Sequence, residues 1–393
     1  VKKIIEVFLI FLRLGLTSFG GPIAHLAYFQ DEFVNRKKWL DEKQYTEIVT
    51  LCQFLPGPAS SQVGMVIGKI RAGFLGSVFA WLGFTLPSTI LMILFALGIS
   101  NFPSYINLKL LHGCKLVAVV VVAQALWQMG SKLCPDKERI SIAIFACVVV
   151  SFFHGIWGQI LVILSGAMIG KFFLIDPKRD SDLVNSSLLV APLFYLVLFF
   201  ILLGFLPILL SLFQSDSLRI FDSYYRVGSL VFGGGHVVLP LLQEEVVSTG
   251  WISEETFLAG YGAVQAVPGP LFTFAAFLGA SSNFYPNGWI GGLFCLVAVF
   301  LPSFLLIHGA YPYWEKIKQY QSMQNSIAGI NASVVGLLLA AFYNPVWTNA
   351  ILSSSDFAIA LVLFLLLAFW KIPSWSIVLL SMILEFCIMD TRL

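Results

Sequence analysis

Charge is scarce in this sequence. Only 11% of its 393 residues are Asp, Glu, Lys or Arg, against about a quarter in an ordinary soluble domain, and mean hydropathy is +0.88. Phe74 to Ile99, Ile140 to Gly170, Leu183 to Ser215 and Thr256 to Trp314 contain none of the four. A bilayer-spanning helix needs about 20 apolar residues, and the last stretch is long enough for two. A soluble fold is thereby excluded: the chain reads as an all-α polytopic membrane protein with roughly ten to thirteen membrane segments, some broken or re-entrant. The net charge of +2 leaves no basic excess for nucleic acid, and the six cysteines show no CxxC or other metal-ligand spacing. They read as small buried apolar residues. P-loop, GxGxxG and HExxH patterns are also missing, so no nucleotide, cofactor, resident metal or catalytic residue is expected. No small-residue cleavage site follows the first apolar run, which reads as an uncleaved first segment.

What is present is a repeat. Arg13 through "SFGG" matches Arg226 through "VFGG", "WLDEKQY" from Trp39 matches "WISEETF" from Trp251, "QFLPGP" from Gln53 matches "QAVPGP" from Gln265, and "LPS" recurs at Leu86 and Leu301. The offsets are 213, 212, 212 and 215 residues, so the order is kept almost without insertion. The expected organisation is a first copy over 1–175, a polar linker over 176–186 containing "DPKRDSD", and a second copy over 187–393.

Lys and Arg in short loops stay preferentially on the cytoplasmic side. In the first copy, Arg36, Lys37, Lys38 and Lys43 crowd one loop, and Lys69 and Arg71 follow the PGP element. The equivalent loop of the second copy, Gln243 to Glu255, carries four glutamates and no basic residue. Opposite orientations follow, an inverted-topology repeat of the kind secondary transporters use. Basic residues also stand at both ends of Ile4 to Phe29 and of Tyr45 to Gly68. Simple spans would place one end of each outside, so one or both segments are expected to be hairpins with tips at "GGP" and "PGP". The other reading is a full span that tolerates positive charge outside.

Proline removes a backbone donor and glycine adds freedom, so Pro56-Gly57-Pro58 and Pro268-Gly269-Pro270 must interrupt any helix they occupy. Freed backbone groups survive in a membrane only inside protein or beside a water-filled cavity. A helix restarting after each break offers free N–H groups and a positive dipole end to an anion. Ser60, Ser61 and Thr273 add hydroxyl donors there. Arg13 and Arg226, six residues before each Phe-Gly-Gly, suit an oxyanion through paired donors, or reach for the interface. His25 and His236, which do not align, suit donation to an anion, proton relay or packing. Gln53 and Gln265 can contact ligand or close the broken backbone. Trp39 and Trp251 read as interfacial anchors, Lys115 and Lys171 as snorkelling residues.

As a set, "FGGPIAH", "CQFLPGPASSQVG" and "GFTLPS", repeated as "FGGGHVVLP", "AVQAVPGP" and "LPS", resemble the chromate ion transporter (CHR) family in its long form, with two homologous halves fused. The resemblance implies a multi-pass protein of the cytoplasmic membrane that moves chromate outward by alternating access, with sulfate, another tetrahedral dianion, as a related substrate. Phe19, Gly20, Gly21, Pro22, His25, Gln53, Pro56, Gly57, Pro58 and Gln62 match the family's first-half motifs. Phe232, Gly233, Gly234, Gly235, Gln265, Pro268, Gly269 and Pro270 match the second, with Gly235 standing where the first half has Pro22. A broader inorganic-anion exchanger is the alternative. A membrane enzyme would require paired carboxylates or a metal cluster, whereas the acidic residues scatter through loops. Coupling ion and oligomeric state are not legible.

Overall fold

The computed structural model describes residues 1–101, 108–153, 155–174, 190–213, 215–232, 235–314 and 320–389, and these are helices joined by turns. The linker expected over 176–186, and Gly233 and Gly234, lie outside the described residues. The first copy comprises α1 (Lys2–Thr17), α2 (Gly21–Gln30) continuing into a π-helical turn (Asp31–Arg36), α3 (Glu42–Phe54), α4 (Ala59–Asn101), α5 (Leu108–Leu133), α6 (Lys137–Phe152) and α7 (Ile156–Phe173). The breaks fall at Phe-Gly-Gly and Pro-Gly-Pro. Within α4 a third break falls at Ala72 and Gly73, where Gly73 has φ +69°.

After α8 (Val190–Leu212), which falls within the expected second copy, the same plan recurs. It comprises α9 (Asp216–Leu230), a 3-10 turn leading into α10 (Val238–Val246), α11 (Glu254–Val264), a 3-10 turn (Leu271–Thr273) leading into α12 (Phe274–Ser281), α13 (Gly288–Ala310), α14 (Gln321–Ala341), α15 (Ser354–Ala368) and α16 (Ser374–Met389). The caps repeat as well. Asp41 accepts from Gln44 N–H at 2.8 Å before α3, and Ser253, its equivalent, accepts from Thr256 N–H at 3.2 Å before α11. Asp136 and Ser353 cap α6 and α15 in the same way.

Both hairpins of the first copy return to the side they start from. Lys3 at the start of α1, Lys37 and Lys38 after the π-helical turn, and Ile70 and Arg71 at the break in α4 line one cavity of about 380 Å³. Arg71 donates to Glu6 at 2.9 Å and lies 4.7 Å over the Trp39 ring. The expected re-entrant hairpins are therefore present, with tips at Phe19–Gly21 and Pro56–Pro58. Beyond its break, α4 runs antiparallel to its equivalent, α13. Phe74 sits by His308 (5.0 Å between rings) and Trp81 by Phe300 and Phe304 (5.5 Å each), and Ile93 meets Gly292. Equivalent helices that run in opposite directions are consistent with the expected inverted repeat.

Close approach, rather than hydrophobic contrast, holds helices together in lipid, and several of the glycines serve it. A Cβ on Gly15 would stand 2.7 Å from the Phe84 carbonyl, and one on the equivalent Gly228 would meet Val299. The copies also exchange partners. α5 packs on α15 and α16, while its counterpart α14 packs on α6 and α7. Among the described residues, five helices have the length and composition to cross a bilayer: α4, α5, α8, α13 and α14. α8 rests on α9 and α13 with Phe194, Phe200 and Leu212 exposed.

Two expectations for side chains change. Trp251 is buried against Ile220, Tyr224 and Leu278, because the second copy folds its hairpin over the indole. Lys115 is buried, and its ammonium meets Glu255 at 3.2 Å, so it is paired across the copies instead of snorkelling.

Candidate functional site

The helices that precede each Phe-Gly-Gly end on extended backbone. Ser18 has φ −88° and ψ 93°, and its equivalent Val231 has φ −76° and ψ 107°. Each carbonyl thereby leaves its helix and is taken by the other copy. The Gly57 amide donates to the Val231 carbonyl at 2.7 Å, and the Gly269 amide donates to the Ser18 carbonyl at 3.0 Å. The two bonds are the same bond made twice, with the copies interchanged. Gly57 and Gly269 have φ of +119° and +103°, a region that disfavours any side chain. A Cβ on Gly57 would lie 2.6 Å from Gln62 Nε2, and one on Gly269 would lie 2.8 Å from Ser88 Oγ. Gly20 and Gly21 also have positive φ. Pro22 approaches Gly235, its own equivalent, to within 3.5 Å of where a Cβ would stand. Pro56 is half-buried, and Pro58, Pro268 and Pro270 are buried.

Around this crossing the first copy is polar. Gln62 donates to the Pro56 carbonyl at 2.7 Å and to Ser303 Oγ at 3.3 Å, closing the break it follows. His25 Nε2 lies 3.2 Å from the Ser18 carbonyl and its Nδ1 lies 3.4 Å from Ser60 Oγ. That network assigns the proton to Nε2 and makes Nδ1 the acceptor. Among the described residues, Ser18 Oγ, Ser61 Oγ, Thr85 Oγ1 and Gln62 Oε1 are buried and make no hydrogen bond within the protein. A buried hydroxyl without a partner costs about 1–3 kcal/mol, and Ser18, Ser61 and Thr85 each carry one. The amides of Ala59, Ser60 and Ser61 open α4 and have no intrahelical acceptor. Hydroxyls, amides and a helix N-terminus together form a donor set for an oxyanion.

The second copy spends its polar groups on itself. Thr273 Oγ1 donates to the Pro270 carbonyl at 2.9 Å. His236 Nδ1 is 2.8 Å from the Tyr261 hydroxyl. Gln265 donates to the Tyr261 carbonyl at 3.3 Å, and its own carbonyl accepts from Ser374 at 2.8 Å. Gln53, its counterpart, is exposed. The arginines are clasped to carboxylates within their own hairpins. Arg13 pairs with Glu32 at 2.5 Å, and Arg226 pairs with the equivalent Glu245 at 3.3 Å and with Asp222. The structure thus gathers Ser18, His25, Gly57, Ser60, Ser61, Gln62 and Gly269 at one crossing, while the guanidinium groups are engaged by their carboxylates. Ser18, Thr85, Ser88 and Ser303 were not singled out from the sequence, although three of them lie inside the repeated motifs. Glu32 and Glu245 share the arginines' offset, a signal that was there to read.

The profile of the family described as chromate transporter matches residues 5–171 and 218–386, leaving α8 between the two matches. This chain belongs to the chromate transporter family. Among proteins similar to it, a chromate transport protein of Pseudomonas aeruginosa is 28% identical over 85% of this chain and 79% of its own length. An uncharacterized transporter of Methanocaldococcus jannaschii is 27% identical over 98% and 94%, and a chromate transport protein of Cupriavidus metallidurans 23% identical over 86% and 81%. No solved structure matches. In this member of the chromate transporter family, each PGP tip meets the backbone just before the other region's Phe-Gly-Gly, at the junction of the two matched regions.

Proposed function

We propose that the protein carries chromate out of the cytoplasm across the cytoplasmic membrane, binding it where each PGP tip meets the other copy's Phe-Gly-Gly hairpin. The observation that carries this reading is the pair of interchanged bonds, Gly57 to Val231 and Gly269 to Ser18, beside buried hydroxyls that lack partners. An anion seated on Ser18, Ser61, Thr85 and the first amides of α4 would satisfy them. Rocking of one copy against the other exposes such a site alternately to each face. Arg13 and Arg226 act in this reading as hairpin clasps, and His25 fixes the tip instead of carrying a proton.

The two repeats are taken to run to α7 and from α9, with α8 as a spacer. In the first copy α4, α5, α6 and α7 return the chain to its starting face, and α8 adds the odd crossing that turns the second copy over. Lys3, Lys37 and Lys38 then stand at a cytoplasmic mouth that concentrates anions. An inside-negative potential of about 100 mV favours outward movement of a dianion by about 4.6 kcal/mol, so export needs no further driving ion.

Counterflow of labelled chromate and labelled sulfate in proteoliposomes tests the reading, with wild type beside a Pro56→Ala/Pro268→Ala variant. Saturable chromate flux that the variant loses is expected. Equal flux of both anions would favour a broader oxyanion exchanger, since hydroxyl and amide donors suit either tetrahedral dianion. No flux of either in folded protein would contradict it.

A further inference from the structure

Far from the crossed tips, three ionisable residues meet inside the helical bundle. His112 lies on the first turns of α5, Asp356 in the first turn of α15 and Glu385 near the end of α16. Their ligand atoms all lie within 4.8 Å of one another, and His112 Nε2 is 3.5 Å from Asp356 Oδ1. His112 is 9% exposed, and Asp356 and Glu385 1% each. Among the described residues, Nε2 makes no hydrogen bond of good geometry, although it is aimed at the two carboxylates. The surroundings hold the three helices firmly: Ser381 donates to the Gly113 carbonyl at 2.9 Å, and the Leu352 amide donates to Asp356 Oδ2 at 3.0 Å.

Two carboxyl groups and an imidazole place three ligand atoms together in a buried region, where ionisable groups are kept by pairing or by coordinating a metal. The inverted repeat supplies an internal control. Gly113 packs on α16 as Gly329 packs on α7, so Ala328 stands in α14 at the place of His112. Arg139 stands three residues after the α6 cap, where Asp356 stands three after the α15 cap. The equivalent location is thus built without an acidic pair, so packing this junction does not require one.

We propose that His112, Asp356 and Glu385 form a binding site for a divalent transition-metal cation, with Zn²⁺ as its probe. One imidazole nitrogen and two carboxylate oxygens are a borderline-to-hard donor set of the kind that binds zinc or manganese. The dication neutralises both carboxylates at once. Ligand atoms around tetrahedral zinc sit about 3.3 Å apart, so side-chain rotations that close the group by about 1 Å complete the site. By tying α5 of the first copy to α15 and α16 of the second, the cation would brace one end of the interface that alternating exposure has to move.

The test uses the full chain, purified with any affinity tag removed, stripped with a chelator, loaded with Zn²⁺ and dialysed. Retention of one zinc per chain, a d–d absorption band on Co²⁺ loading and a rise in unfolding temperature with Zn²⁺ are expected. An Asp356→Asn/Glu385→Gln variant should show none of these, and His112→Gln, at the least buried of the three, serves if the double variant fails to fold. Wild-type protein that is monodisperse yet retains no zinc overturns the proposal, as does zinc retained at the same stoichiometry by the variants. A stability that follows pH but ignores metal would identify a proton-sharing cluster and overturn it equally. None of these outcomes depends on whether chromate is carried.

Discussion

After the first PGP break the chain reads Ala59, Ser60, Ser61, Gln62; after the second it reads Leu271, Phe272, Thr273, Phe274. Thr85 has Phe300 as its equivalent, and Ser18 has Val231. The glycine conformations, the interchanged amide bonds and the clasped arginines are common to both copies, whereas unpartnered hydroxyls gather in the first. Duplication explains this division. A two-fold related backbone is needed twice to build a crossing that can tilt either way, but one anion needs one set of donors. The second copy is then free to line its side with aromatic rings, as Phe272 against Phe300 does at 5.8 Å.

The comparison breaks first at the shared backbone. Gly57→Ala and Gly269→Ala each force a side chain into a left-handed conformation, at about 1–3 kcal/mol, and misplace a tip. Both are expected to lower anion flux by more than about tenfold, measured in proteoliposomes. A loss in one copy alone would mean that the tips are not equivalent.

The clasps should differ in strength. Arg226 is 19% exposed and holds Asp222 and Glu245, so Arg226→Ala strands buried carboxylates, at about 3–5 kcal/mol. The Arg13 side chain is 55% exposed, and Arg36, 4.0 Å from Glu32, stands ready to replace it. Arg13→Ala should cost about 1 kcal/mol or less. Unfolding in detergent reads both, and equal losses would contradict the difference in burial.

Cysteine accessibility sharpens the inversion. Arg36→Cys and Ile70→Cys should react with an impermeant reagent from one face of the membrane. Thr249→Cys and Asn283→Cys, at equivalent places in the second copy, should react only from the other. Labelling of all four from one face would contradict the inverted repeat.

Much of this was legible in the sequence because local chemistry carried it. Pro-Gly-Pro can only break a helix, and lysines at both ends of Tyr45 to Gly68 pointed to a hairpin over a full span. The partners of the broken backbone were hidden, because the Gly57 amide meets the Val231 carbonyl only once two distant hairpins cross. Arg13 looked like an anion ligand while Glu32 looked like one more loop acid; folding the hairpin puts them together. Lys115 misled in the same way, since its partner Glu255 lies in the other copy. The acidic residues did seem to scatter through loops, yet Asp356 and Glu385 converge on His112 because α5 is exchanged between the copies. Spacing along the chain reports such convergence only when the helices involved are neighbours in sequence.

The central claim, that the first copy's free hydroxyls hold the anion, is tested most directly by chromate affinity in Ser61→Ala beside Thr273→Val. Ser61 Oγ has no partner within the protein, whereas Thr273 Oγ1 is committed to Pro270. Loss of one hydrogen bond to a charged group is worth about 1.5–3 kcal/mol, so Ser61→Ala should weaken binding by more than about tenfold and Thr273→Val by less than about twofold. Equal weakening in both copies, or none in Ser61→Ala, would contradict the account.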